Sequence, residues 1–266
     1  MSILYYKINI NVYNKYDEFY GGIIMIQEII ANDYCNKKLN CVGEEDDTSA
    51  SLPVSSEMND DGCFFVKYGS KIYCCITIIG QIEGHYVLNP ENKSTKYEHL
   101  IPKIISVDSD DSIAGLLIIL NTVGGDIEAG LAIAELISGM KKPTVSLVLG
   151  GGHSIGIPLA VSAKKSFITK TATMTIHPAR MNGLVMGVPQ QLAYFQSMQE
   201  RIIRFVSEHS SVSPERFREM MLSSGQLVSD FGTALNGEDA VSEGIIDSIG
   251  SIDDAFKAFD SMTQNN

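Results

Sequence analysis

A chain of 266 residues, 44% of them hydrophobic, is long enough to bury one substantial core and has the composition of an ordinary soluble domain. Its net charge of −12 excludes nucleic acid or an anionic membrane as a main partner. No apolar run approaches the roughly 18 residues of a membrane span, and residues 1–10 lack the basic, apolar and small-residue order of a signal peptide, so a cytoplasmic protein is expected.

Residues 1–70 differ from the rest. The acidic tract Gly43-Glu44-Glu45-Asp46-Asp47-Thr48-Ser49, followed by Ser55, Ser56, Asn59, Asp60 and Asp61, offers too little apolar surface to offset chain entropy. These residues are read as a divergent, partly flexible N-terminal extension, with the globular domain over residues 71–266. The cysteines Cys35, Cys41, Cys63, Cys74 and Cys75 are odd in number and form no matched Cys-x-x-Cys pairs. Reduced thiols are expected, with no metal site.

From residue 71 the signals become regular. Residues 72–80 form a β-branched run expected as a buried strand, and residues 97–106 have helical spacing, with Leu100, Ile101, Ile104 and Ile105 apolar. Residues 115–121 predict a second strand, ended by Val123-Gly124-Gly125. Asp126 then opens a helix with Ile127, Leu131, Ile133, Leu136 and Ile137 on its buried side, broken by Pro143. A third strand over 144–149 runs into a glycine turn. A helix over 157–163, strands over 166–169 and 174–176, a long amphipathic helix over 189–209 and a further helix over 214–222 follow. Strand and helix alternating over short connections predict an α/β fold with a largely parallel sheet flanked by helices.

The chemistry concentrates in Gly150-Gly151-Gly152-His153-Ser154-Ile155-Gly156 and in Ile176-His177-Pro178. A serine hydroxyl needs a neighbouring base. A glycine turn at the head of a helix exposes it among backbone N–H donors, as acyl transfer requires. Ser154 is the expected nucleophile and His177 the expected general base; His153 is the weaker choice because adjacent side chains point apart. Serine precedes histidine with no acid between them, which fits none of the trypsin, subtilisin or α/β-hydrolase orders.

Asn121-Thr122-Val123-Gly124-Gly125, the serine block and Met174-Thr175-Ile176-His177-Pro178 together resemble successive signatures of the Clp protease proteolytic subunit (ClpP) family. That family reads approximately Asn-Ser-Pro-Gly-Gly, Gly-x-Ala-Ala-Ser-Met-Gly and Val-Met-Ile-His-Gln-Pro. Ile79-Gly80-Gln81-Ile82 adds a fourth match. The similarity runs from about residue 71 to 251, and His153 with the long N-terminus is similar to the family's translocation-enhancing TepA branch. The resemblance implies a ClpP/crotonase-type fold of repeated β-β-α units with a protruding handle, here at Gly183, Leu184, Val185, Met186, Gly187 and Val188. It implies a Ser-His-Asp endopeptidase with an oxyanion hole from the backbone N–H groups of Gly125 and Ile155.

The third triad member departs from the pattern. An ungapped count back from Asp247 lands near Gly232, which is no acid. Asp230, the only acid between Glu219 and Glu238, is the expected carboxylate, with Asp239 read as a helix-start residue and Asp247 as a structural one. The resemblance further implies a homo-oligomeric ring, heptameric or stacked, that encloses small or unfolded protein substrates, with a link to protein secretion. No nucleotide-binding signature is present, so any AAA+ ATPase is a separate chain, and no cofactor is expected. Three other readings stay open: an inactive ring subunit, a crotonase-type acyl-CoA enzyme, and a Ser–Lys peptidase using Lys164 or Lys165.

Overall fold

The computed structural model describes residues 62–180, 188–224 and 232–263. In chain order these carry β1 (Cys63–Tyr68), β2 (Lys71–Glu83), β3 (Ser94–Lys96), α1 (Tyr97–Ser109), β4 (Ile113–Gly125), α2 (Ile127–Ser138) and β5 (Thr144–Gly152). They continue with α3 (Gly156–Val161), β6 (Lys165–Ile168), β7 (Thr173–Ile176), α4 (Val188–Glu208), α5 (Pro214–Leu222), β8 (Thr233–Asn236), α6 (Gly237–Ser242), β9 (Ser248–Ile249) and α7 (Ile252–Thr263). The expected handle residues 183–187 lie outside the described residues.

The sheet runs β1-β2-β4-β5-β6-β9, all parallel except β1, which folds back antiparallel on β2. β7 leaves this path, touching β5 at Gly151 and pairing antiparallel with β8. A mostly parallel sheet flanked by helices is the predicted architecture. Residues 63–68, placed with the N-terminal extension on composition, are an edge strand of this sheet. Their polar Lys67 and exposed edge hide the pairing until β2 is seen beside them.

Continuous apolar strands need both faces covered, and alternation on β2 shows how this is done. Cys74, Ile76 and Ile78 face one core with Leu116, Ile118 and Leu120 of β4 and the buried stripe Leu131, Ile133 and Ile137 of α2. Tyr73 and Cys75 face the other, where Leu117, Val145, Leu147 and Phe167 meet Ala255, Phe256 and Phe259 of α7. Tyr73 packs on Phe259 with ring centroids 4.5 Å apart. Burying each such ring stabilises by about 1.5–3 kcal/mol. Helix α7 covers only the first half of the strands; beyond it, Ile79 and Leu149 on the same face stay 41% and 45% exposed.

Helix α2 ends at Ser138, five residues before Pro143. Its C-terminus is closed by Gly139, whose N–H donates to Glu135, and Met140 turns back into the core. The break therefore comes from a buried turn rather than from proline.

Cys63 and Cys74 lie with sulfurs 3.4 Å apart, buried across the β1–β2 ladder. The contact with Cys63 and burial raise the Cys74 pKa, and burial pushes the Cys75 thiol up to about 12. At pH 8 Cys75 is thiolate in about one molecule in ten thousand. Iodoacetamide at pH 8 should leave Cys63, Cys74 and Cys75 unmodified in the native protein and alkylate them after denaturation, as peptide mass mapping would show. Rapid native labelling at Cys75 would contradict the packing.

Candidate active site

The site is built where β4 and β5 end. Both strands leave regular pairing there. Gly80 pairs with Thr122 but Gln81 with Gly124, so Val123 is an extra residue that bulges outward. On the other side Leu120 pairs with Val148 and Thr122 with Gly152, and the slack in β5 is bridged by Asn121, whose Oδ1 accepts the Gly151 N–H at 2.9 Å. Bulges of this kind re-aim the chain at functional ends of sheets. Thr122 Oγ1 donates to Gly80 O at 2.6 Å and accepts the Gly124 N–H at 3.1 Å, fixing the turn that follows.

That turn needs glycine. Gly124 has φ 92° and Gly125 φ 155°. A Cβ on Gly124 would stand 2.7 Å from the Ser154 Cβ, and one on Gly125 would stand 2.2 Å from Ile82 O. Asp126 then caps α2, its Oδ1 accepting the Ala129 N–H at 2.9 Å. The two glycines let the end of β4 lie directly against the serine turn.

Ser154 has φ 57°, the one positive φ at a non-glycine among the described residues. Holding an L-residue there costs about 1–2 kcal/mol, so its neighbours must over-determine it. They do so from three elements. The Ser154 N–H donates to Thr175 O of β7 at 2.8 Å and the His153 N–H to Thr122 O of β4 at 3.2 Å. His153 O and Ser154 O accept from Gly156 and Ile157 at 2.8 and 3.0 Å, starting α3. The serine is thus presented on a strained turn pinned to strands on both sides.

His177 is the first residue after β7, two positions beyond the Thr175 that holds the serine backbone. Its Nδ1 lies 2.7 Å from Pro178 O. A carbonyl only accepts, so Nδ1 carries the proton in this contact, and a neutral ring then has its basic lone pair on Nε2. Ser154, His177 and Gly125 line one cleft of about 310 Å³, walled by Asp126, Ile127 and Glu128 of the β4–α2 turn, by Ala179 and Arg180, and by Tyr194 and Met198 of α4. Ile155 turns its side chain the other way, into the core, where its Cγ1 would stand 2.3 Å from a Cβ on Gly130.

The remaining predicted residues sort as follows. Asp230 lies outside the described residues. Asp239 stands in the first turn of α6, its N–H donating to the capping Asn236. Asp247 accepts from Ser166 N and Oγ and lies 3.6 Å from Lys165 Nζ, tying β6 to the segment before β9. His153 lays its ring over Gly151, and its buried Nδ1 has no hydrogen-bond partner. Burial, and then the nearby His177, lower its pKa, which keeps it neutral at pH 7.

Lys164 donates to Lys141 O and Lys142 O at the start of β6. Since Lys165 pairs with Val145 at the beginning of β5, both lysines are on the order of 20 Å from the serine end of that strand. The Ser–Lys reading is thereby removed. Sequence reasoning did not find Asn121 as the bridge of β5, nor Tyr194 and Met198 of α4, which wall the cleft. Among the described residues no group of three or more His, Cys, Asp or Glu side chains is placed to hold a metal ion. None of the described helices is long and apolar enough to cross a membrane.

The sequence profile of the Clp protease family matches residues 71–253. The chain belongs to that family. Within it the chain falls in the TepA branch: it is 60% identical over 183 residues to the translocation-enhancing protein TepA of Halalkalibacterium halodurans, a match that covers 69% of this chain and 72% of that one. It is 30% identical over 93 residues to the ATP-dependent Clp protease proteolytic subunit of Lactococcus lactis subsp. cremoris, covering 34% of this chain and 46% of the relative. A solved ClpP1 variant from Listeria monocytogenes has the same fold, with a TM-score of 0.54 at 22% identity over 68% of this chain and 93% of that one. Family membership supports a peptidase role for the chain.

Proposed function

We propose that this chain is a serine endopeptidase that cleaves small or unfolded proteins. The observation that carries the reading is the strained Ser154 turn, which faces a cleft shared with His177 and the Gly124-Gly125 turn. Ser154 Oγ attacks the scissile carbonyl carbon while His177 Nε2 takes its proton; the carbonyl oxygen becomes an oxyanion between the N–H groups of Gly125 and Ile155. The tetrahedral adduct collapses as His177 returns the proton to the leaving amine, giving an acyl ester on Ser154. A water deprotonated by His177 then attacks the ester, and its hydrolysis frees the acid and restores the serine. Asp230 is the proposed carboxylate that orients His177, taking over from Pro178 O the Nδ1–H that the ring donates in this structure.

The side chain of Ile155, buried in the core and turned away from the cleft, supports a role for its backbone alone. Gly156 and Ile157 already donate within the turn, which makes the Ile155 N–H the donor to aim at the cleft. The proposed setting is a cytoplasmic homo-oligomeric ring, with any AAA+ ATPase supplied by a separate chain and a task tied to protein secretion. Exposed Ile79, Leu149, Leu192 and Tyr194 support the ring, since apolar surface of this kind calls for a partner.

The test is a fluorophosphonate probe on the full chain. Wild-type protein should label at Ser154 and the Ser154→Ala variant should not. Absence of labelling in the wild type would leave an inactive ring subunit in its place. A stable monomer by light scattering at micromolar concentration would remove the ring.

A further inference from the structure

Helix α4 is fastened to both walls of the cleft. On one side Gln199 Oε1 accepts the N–H of Ala179, two residues past His177, at 3.0 Å. On the other Arg201 forks onto Glu128, Nη1 to Oε1 at 2.5 Å and Nη2 to Oε2 at 3.0 Å. Glu128 stands in the first turn of α2, three residues past Gly125. Each partner shifts the other. The hydrogen bond from Arg201 holds the Glu128 carboxyl below the usual carboxylate range, and the bond to Glu128 raises the Arg201 guanidinium.

Tyr194, Met198 and Arg201 are spaced four and three residues apart, which places them along one helix face. The first two line the catalytic cleft. Glu128 and Arg201 also line a second hollow of about 340 Å³ between α2 and α4, with Leu131, Glu135 and Phe205. The ion pair therefore stands at the boundary between the two hollows. Its side chains are 41% and 43% exposed, so it adds little to stability. What a bidentate fork supplies is geometry.

We infer that the Glu128–Arg201 fork and the Gln199–Ala179 bond form a two-point clasp that fixes Tyr194 and Met198 over the cleft, so that Glu128, Gln199 and Arg201 are positioning residues for the substrate chain. Only the kinetic readout rests on the peptidase reading. In the full chain, Glu128→Gln and Arg201→Gln should each raise KM for a peptide about fivefold with kcat held within about twofold. Arg201→Lys, which keeps the charge and loses the fork, should fall between, and the swap Glu128→Arg with Arg201→Glu should recover at least half of the loss.

Hydrogen exchange reads the clasp without turnover: amides over residues 190–200 should exchange faster in Glu128→Gln than in wild type. Unchanged KM in both single variants, or a fall in kcat with KM kept, would overturn the substrate role. Unchanged exchange would overturn the clasp. If wild-type protein shows no Ser154-dependent hydrolysis, the peptidase reading fails by itself, and exchange still decides the clasp.

Discussion

Replacing His177 by alanine is expected to lower kcat by a factor of about ten thousand while the protein stays folded. The serine turn is built from backbone bonds, Ser154 to Thr175 and His153 to Thr122, and none of them uses the His177 ring. The variant therefore keeps a strained, half-buried Ser154 but removes the proposed base. His153 cannot take over. Its ring lies over Gly151 and its Nδ1 is buried, so it faces the preceding turn rather than the hydroxyl. Peptide hydrolysis and fluorophosphonate labelling of His177→Ala, read beside its melting curve, check this. Activity within tenfold of wild type at an unchanged melting temperature would mean that another group serves as the base.

The same turn marks how far the sequence could be read. Strands β2, β4 and β5 are legible because strands buried on both faces must be nearly continuous apolar runs. The glycines at their ends are legible because only glycine lets Gly125 pass within van der Waals reach of Ile82 and Gly124 within reach of Ser154. Elements that draw their identity from a distant partner are not. β1 is six residues whose partner is β2, and β8 is four residues that take their register from β7. Helix α7 is short and acidic at its start, and its Phe256 and Phe259 acquire meaning only under the second face of the sheet.

The site divides in the same way. Ser154, His177 and Gly125 stand in motifs whose residue types follow from the chemistry, and they meet at one cleft. Asn121 stands in such a motif too, yet its task of bridging the slack in β5 belongs to the pairing of two strands and leaves no local signal. Glu128 and Arg201 are 73 positions apart, and each alone reads as a solvated surface charge. The fork appears only once α4 is laid across the ends of the strands.

Gly125→Ala should damage fold and cleft together. Its Cβ would meet Ile82 O at 2.2 Å and Ile82 N at 2.6 Å, and these are backbone atoms of the neighbouring central strand that cannot swing aside. At φ 155° the alanine is strained before any contact is counted. Strain of about 1–3 kcal/mol and overpacking of about 1–3 kcal/mol give an expected destabilisation of about 2–6 kcal/mol. Relief by moving the chain would pull the Gly125 N–H out of line with the developing oxyanion, for which loss of one donor costs about a hundredfold to a thousandfold in kcat.

Ile155→Val separates the two effects. It keeps the other proposed donor, since the N–H belongs to the backbone, and removes one methylene from a side chain packed toward Gly130, at a cost of about 0.5–1.5 kcal/mol. Its kcat should stay within a few-fold of wild type, whereas Gly125→Ala should lose both melting temperature and hydrolysis. Gly125→Ala retaining full kcat would place the oxyanion elsewhere in the cleft. A collapse of kcat in Ile155→Val at nearly native stability would mean that the side chain, and not the N–H, is what residue 155 contributes.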